Sequence, residues 1–511
     1  MAQRALAGPG LTVQTLQIAP DDGRLRYEDY YNLKVSAERA TFDRCYDEKY
    51  GCEQGALTQN PGSTISFVTD AAVGYVALEY LVNCSIGCPG FLPDGCYHPR
   101  WHCREEVEDM CGVCNAACSP KLYMNGVRVE LPEETIRSFY ANGVEEFLLW
   151  RHAAPLSSPQ RFDLVLPWTA SIDLRALRLQ NIQHLSRPAA RSDFKYIAYG
   201  DSITQGFCSD TPYPEHLARV NGWSANNLGI GGIPILPRHG KAIGQLRGDL
   251  VTVLIGTNSW PFDCDVSPEF TEFLANLRSE QPEVPIVVVT MLVRGNEPDL
   301  NKPRCSTLED TREQIRKVFR GLKQQGDERI FMVEGQPLLP IVSLLDRLHP
   351  GDSEMMLDLA LNLNAQMGFS QVQYRVAECP TLRVVGRNLT PNARATLYYG
   401  TKLINAPTAW EDNCPKRTVM VGGRYGQVTT TADGEGTAAF SLPDGTGLAC
   451  DQILFQVLDA TTCVSSRVGR GTDGTSIDGT VAQLFYPPSP APTPPMPRSP
   501  PAGPPPSPPP T

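Results

Sequence analysis

The sequence predicts an α/β core, a parallel sheet sandwiched by helices, flanked by two β-sandwich domains and ended by a disordered proline-rich tail. Three observations predict it. Between residues 189 and 375, strand-like apolar runs alternate with helical periodicities, the pattern of a parallel sheet covered on both faces. On either side, short alternating runs separated by Gly, Pro and Asn recur without a helical period. After Tyr486 the chain carries fifteen of its 45 prolines and cannot pack a core.

At 511 residues the chain has room for about three domains of ~100–200 residues each. A net charge of −11 and a pI near 5.3 argue against nucleic acid or an anionic membrane surface as partner. No uninterrupted apolar run approaches the ~18 residues of a spanning helix, so no membrane span is expected. Residues 1–20 lack the charged, hydrophobic, small-residue order of a signal peptide. The sixteen cysteines point the other way. Nine fall between Cys45 and Cys118 and four between Cys379 and Cys463, a density that suits an oxidising, extracellular compartment. Asn83-Cys84-Ser85 and Asn388-Leu389-Thr390 match the N-glycosylation acceptor. Secretion is the expected localisation.

Residues 1–188 read as the first β-sandwich, from runs such as 64–67, 75–80, 121–129, 146–150 and 161–167. A cysteine-rich insertion, 83–120, interrupts it. Few large apolar residues occur there, so cross-links are expected to hold its shape. Cys111-x-x-Cys114 beside His98 and His102 leaves zinc as the alternative, although Pro99 argues against placing both histidines on one helix face. Residues 185–190, with Pro188, read as a linker.

In residues 189–375 the order of elements is regular. Strands are expected at 194–199, before Asn227, and at 249–255, 284–291 and 329–334; helices at 214–220, 268–279, 308–325 and 353–367. Residues 376–486 return to short β runs at 382–385, 395–399, 418–421, 436–441 and 452–458, a second sandwich with four cysteines. The tail, 487–511, is expected to be extended polyproline II. Its Ser499-Pro-Pro501 and Ser507-Pro-Pro-Pro510 resemble repeats of hydroxyproline-rich cell-wall glycoproteins, while a plain semi-rigid spacer is the simpler reading.

The chemistry is expected where the first catalytic strand ends. Gly200 permits a tight turn, Asp201 or Ser202 can cap the following helix, and Ser202 then lies at a helix N-terminus whose free N–H groups suit a developing oxyanion. A serine N-cap alone would explain this segment. Three further features leave the same edge of the sheet: the glycines ending at Gly232, Gly256-Thr-Asn258, and Asp346-x-x-His349. In this order the four motifs resemble the SGNH hydrolases, also called GDSL esterases and lipases, over about 180 residues. The joined N-terminal sandwich resembles that of certain carbohydrate acetylesterases.

The resemblance implies a serine esterase working through an acyl-enzyme. Ser202 would be the nucleophile and His349 its base, with Asp346 holding the imidazole. The backbone N–H groups of Ser202 and Gly232 and the amide of Asn258 would form the oxyanion hole. Gly229 or Gly231 remain alternative donors, and Asp201 is read as structural. The family often has aspartate after the third-block asparagine; here Ser259 and Trp260 follow, and Trp260 is a candidate substrate-lining residue. No metal or cofactor is required. A Cys208–Cys264 bridge would tie the loops carrying Ser202 and Asn258, leaving Cys305 either paired with the N-terminal domain or free. The expected substrate is a small ester, foremost an O-acetyl or other short acyl group on carbohydrate, with a cell-wall or matrix glycan as partner. Lipid or other small esters are the alternative, and a matrix protein with an inactive hydrolase core is the rival from another class.

Overall fold

The computed structural model describes residues 14–43, 61–82, 120–132, 145–167, 171–207, 209–259, 264–294, 297, 307–339, 344, 348–350, 353–369, 373–378, 383–387, 389–400, 402–403, 421–422, 426–434, 436–441, 454–459, 464–465 and 469–470. The cysteine-rich insertion with His98 and His102, both glycosylation acceptors, and the proline-rich tail lie outside them.

The central layer is a five-stranded sheet with β1 Lys195–Gly200, β2 Ser224–Asn227, β3 Leu250–Leu254, β4 Ile286–Val289 and β5 Ile330–Val333. Their spatial order is β2-β1-β3-β4-β5, and every neighbouring pair is parallel. The β-branched runs of β3 and β4 are buried throughout, as strands covered on both faces must be. Successive residues serve opposite cores. Tyr196 and Ala198 face α2 Tyr213–Asn221 and α6 Ser353–Gln366, with Leu217, Met356, Leu359 and Leu363 in the same cluster. Ile197 and Tyr199 face α3 Pro237–Gly244, α4 Ser267–Glu280 and α5 Leu308–Gln324, through Ile243, Phe273, Leu277 and Ile315. Chain order reverses at β1, with β2 on one side and β3 on the other. A sheet of this order places its crevice at the strand ends between β1 and β3.

The helix α3, which contains Gly240 and Gly244, is not among the helices expected from the sequence. Its glycines serve close packing: a Cβ on Gly240 would lie 2.1 Å from the Phe273 carbonyl oxygen, so α3 and α4 meet backbone to backbone there. The other catalytic strands and helices fall within a few residues of expectation.

On the N-terminal side two six-stranded sheets pack around one core. One runs Asn32–Val35, Ala40–Asp43, Ser171–Gln180, Val73–Val82, Glu145–Arg151, with Thr15–Ile18 beside Ser171–Gln180. The other runs Leu185–Ser186, Thr64–Thr69, Gln160–Val165, Lys121–Met124, Val127–Val129, with Arg26–Glu28 beside Thr64–Thr69. All pairings are antiparallel. Trp150 and Phe162 stack at 4.2 Å between centroids in the centre of the core. Two readings change here. Leu185 and Ser186, expected in a linker, pair with Thr69 and Val68. The run 121–129 is a hairpin, turned by Asn125 and Gly126 at φ 53° and 83°, as a two-residue Asn-Gly turn requires.

This sandwich docks on the catalytic layer through matched charge. Lys121 Nζ meets Glu215 Oε2 of α2 at 2.9 Å, and both side chains are buried. Arg219 lies over the Tyr123 ring at 3.4 Å, and Arg128 pairs with Asp210 at 2.5 Å. Asp29 accepts the Ala225 N–H of β2 at 2.9 Å and pairs with Arg191.

The C-terminal residues form a three-stranded sheet of Gln373–Glu378, Arg383–Arg387 and Ala438–Ser441, and a five-stranded one built on Gly426–Thr431, Arg394–Gly400 and Leu454–Asp459. Leu397, Phe440, Phe455 and Val457 share their core. The strand Gln373–Glu378 spans the boundary expected at 375/376 and hydrogen-bonds to the C-terminal side of it.

Candidate active site

β1 ends at Gly200, where a side chain has no room: a Cβ would lie 2.1 Å from Thr204 Oγ1 and 2.3 Å from the Leu254 carbonyl oxygen. The chain turns at Asp201, whose Oδ1 accepts the Ile203 N–H at 2.9 Å and caps the one-turn helix α1, Ser202–Gln205. Asp201, not Ser202, is therefore the cap. The Ser202 hydroxyl is left for another partner, and its backbone N–H is one of the helix-terminal donors without an intrahelical acceptor. That partner is His349. Ser202 Oγ and His349 Nε2 are 2.7 Å apart, although the residues are 147 positions apart in the chain. Both are buried, Ser202 at 9% and His349 at 3% exposure. A bridge between Leu344 and Pro350 closes the turn that carries His349. The Phe207 ring lies over the imidazole, 4.3 Å between centroids and tilted by 33°.

The glycine loop after β2 is bound to α1 rather than free. Asn227 Nδ2 donates to the Thr204 carbonyl at 2.8 Å, and its Oδ1 accepts the Gly229 N–H at 2.9 Å. Gln205 Oε1 accepts the Gly231 N–H at 2.6 Å. A Cβ on Gly231 would lie 3.9 Å from Ser202 Cβ, so this loop passes directly beside the serine. Gly229 and Gly231 thus have their donors engaged. Gly232, exposed and at φ 74°, makes no hydrogen bond through its N–H among the described residues. After β3, the Nδ2 of Asn258 is buried and has no hydrogen-bond partner among the described residues. A buried donor without a partner costs roughly 1–3 kcal/mol, so this amide is poised for something not part of the fold.

Three comparisons bear on the chain. Residues 198–353 match the GDSL-like lipase/acylhydrolase family. The chain contains a GDSL-like lipase/acylhydrolase domain. No curated protein matches the sequence. Among solved structures, the salicylyl-acyltransferase SsfX3 of a tetracycline biosynthetic pathway is similar, at 19% identity over 68% of this chain and 94% of its own, with a TM-score of 0.54. A GDSL-like lipase from Bacteroides ovatus is similar at 18% identity, over 69% of this chain and 96% of its own, with a TM-score of 0.51. Both likenesses extend well beyond the GDSL domain, and they show that the fold is shared. The match at 198–353 spans strands β2 to β5 of the parallel sheet and takes in both Ser202 and His349.

Within the GDSL domain the residue after the third-block asparagine has a visible task. Ser259 Oγ accepts the Ile235 N–H at 2.8 Å, joining the Asn258 loop to the glycine loop where other members often carry aspartate. Cys264 is disulfide-bonded. Asp201 is fully buried, and burial pushes its carboxyl up to about 6; its cap bond, His349 when protonated, and Arg294 oppose that rise. The loop bearing Arg294 is held by Arg312, itself fully buried, which donates to the Met291 and Leu292 carbonyls and pairs with Glu297.

The structure therefore brings Ser202 and His349 together, with Gly231 against the serine and Asn258 on the loop following the adjacent strand. Asp346, Trp260, Cys208 and Cys305 lie outside the described residues. No cluster of three or more metal-ligating side chains occurs among the described residues. Sequence reasoning gave no role to Gln205, Asn227 or Phe207. An asparagine two residues before a glycine, as Asn227 stands before Gly229, is the one local signal that could have pointed to the second.

Proposed function

We propose that this chain is a serine esterase that hydrolyses carboxylic esters through an acyl-enzyme on Ser202. The single observation that carries the reading is the 2.7 Å contact between Ser202 Oγ and His349 Nε2. A serine hydroxyl needs a base at this distance to attack a carbonyl at neutral pH. His349 takes the proton as Oγ bonds to the acyl carbon, and returns it to the leaving alcohol. Water, activated by the same imidazole, then releases the acid. Asp346, three residues ahead of the base, orients it. The oxyanion is held by the N–H groups of Ser202 and Gly232 and by Asn258 Nδ2; the unpartnered state of that amide and the prior engagement of Gly229 and Gly231 support this set.

The preferred acyl group is short, foremost acetyl, on a carbohydrate alcohol. The buried serine and the β-sandwich docked on the catalytic layer support a compact acyl pocket beside a surface that can meet a polymer. Trp260 is proposed, from the sequence alone, as a lining residue of that pocket. The cysteine clusters, and a disulfide at Cys264 for which Cys208 is the proposed partner, support an extracellular setting.

The test is turnover of p-nitrophenyl acetate, then of acetylated xylan, pectin and triglyceride side by side. Wild type hydrolyses the acetate, and Ser202→Ala loses activity by about 10⁴-fold or more. Equal, negligible turnover in both would replace this reading with an inactive matrix protein. Preference for triglyceride would replace the carbohydrate substrate with a lipid.

A further inference from the structure

We propose that Phe207 is a positioning residue for His349, its ring favouring the protonated imidazole that forms when the base accepts the serine proton. The proposal rests on the serine–imidazole reading above. Phe207 follows the Gly206 cap of α1 and its backbone N–H donates to the Ser202 carbonyl at 2.9 Å, so its placement is fixed by the same turn that presents the nucleophile. Its ring centroid is 4.3 Å from that of the imidazole at a tilt of 33°, which sets the two faces together rather than edge to face. Within about 6 Å of a cation, an aromatic face is attractive through its quadrupole, and more so where water is excluded. His349 is 3% exposed.

The charge appears only as the proton leaves Ser202 Oγ for His349 Nε2. The neutral imidazole of the resting enzyme gains only dispersion from the same contact. An interaction stronger in the transition state than in the ground state raises kcat and leaves substrate binding alone. The stack also resists rotation of the imidazole away from Oγ. One aromatic ring thus holds the base in plane and stabilises its charged form.

Leucine fills similar volume without a π face, whereas tyrosine keeps the face. F207L is expected to lower kcat about 3- to 30-fold with KM nearly unchanged, and F207Y to restore it. Fluorinated phenylalanines incorporated at position 207 weaken the ring face stepwise while preserving its shape. On p-nitrophenyl acetate, kcat should fall with each added fluorine, a readout that a merely space-filling ring would not move. A flat fluorine series, or a folded F207L with wild-type kcat, would overturn the proposal. S202A and H349A separate the two ideas. If both are inactive while the fluorine series is flat, only the role of Phe207 falls; if either retains full turnover, the serine–imidazole reading falls with it.

Discussion

The face where the sandwich meets the parallel sheet and the edge that carries Ser202 differ in how their buried polar groups are paired, although single nitrogens of Arg191 and Arg219 at the docking face also lack a hydrogen-bond partner among the described residues. At the docking face, charge is matched: Lys121 with Glu215, Arg128 with Asp210, Arg191 with Asp29. At the catalytic edge, Asn258 Nδ2 and Asp201 Oδ2 are buried without a hydrogen-bond partner among the described residues. Matched charge fixes one arrangement of two domains. In the proposed reaction the Asn258 amide, retained without a partner at a cost to stability, meets the negative charge that develops on the substrate.

Breaking the docking face should give the largest effect on stability. Lys121→Ala leaves the Glu215 carboxylate buried without its ammonium, and should cost about 3–5 kcal/mol in chemical denaturation. Activity per folded molecule should persist, since neither side chain touches Ser202. At the catalytic edge the sign is reversed. Asn258→Ala removes an amide whose Nδ2 bonds to nothing in the described fold, so melting should shift little, while kcat falls about 10²- to 10³-fold. A variant that lost stability and kept kcat would dissolve the contrast.

The smallest effect is a difference in pH dependence. Burial raises Glu215 but Lys121 and Arg219 outweigh it, holding the carboxyl at about 2, below its ordinary 4.5. Burial holds His216 at about 4, below its ordinary 6.5. In both cases the unfolded chain takes up the proton first, so their contributions are full above the ordinary values and drain as pH falls from 6.5 to 2. Asp201 runs the other way. Raised from 3.8 to about 6, it holds a proton in the folded chain that the unfolded chain has already lost, so its contribution fades as pH rises from 3.8 to 6. Glu215→Gln should flatten the acid loss of stability. Asp201→Asn, which retains a capping oxygen, should remove the opposing slope; urea midpoints across pH check both.

Much of the catalytic edge was legible because strand, turn and helix are written locally. The apolar run before Gly200 and the acidic and hydroxyl residues after it place Ser202, and alternation of strands and helices carries His349 to the same edge 147 residues later. What was not legible depended on contacts between distant segments. The helix Pro237–Gly244 was hidden because its glycines serve a neighbouring backbone, which only the packed structure reveals. The Phe207 stack joins residues with no shared period or motif. The matched charges of the docking face were equally silent, since Lys121 and Glu215 are ordinary polar residues until two domains bury them together.

In the proposed reaction Ser202 Oγ, held against His349, takes the acyl group. A fluorophosphonate ester, which bonds covalently to an activated serine, tests it by peptide mass mapping of the full chain. One adduct is expected, on the peptide containing Ser202, formed far more slowly in His349→Ala. Ester hydrolysis that continues unchanged after every Ser202 has been modified, or an adduct confined to another serine, would contradict it.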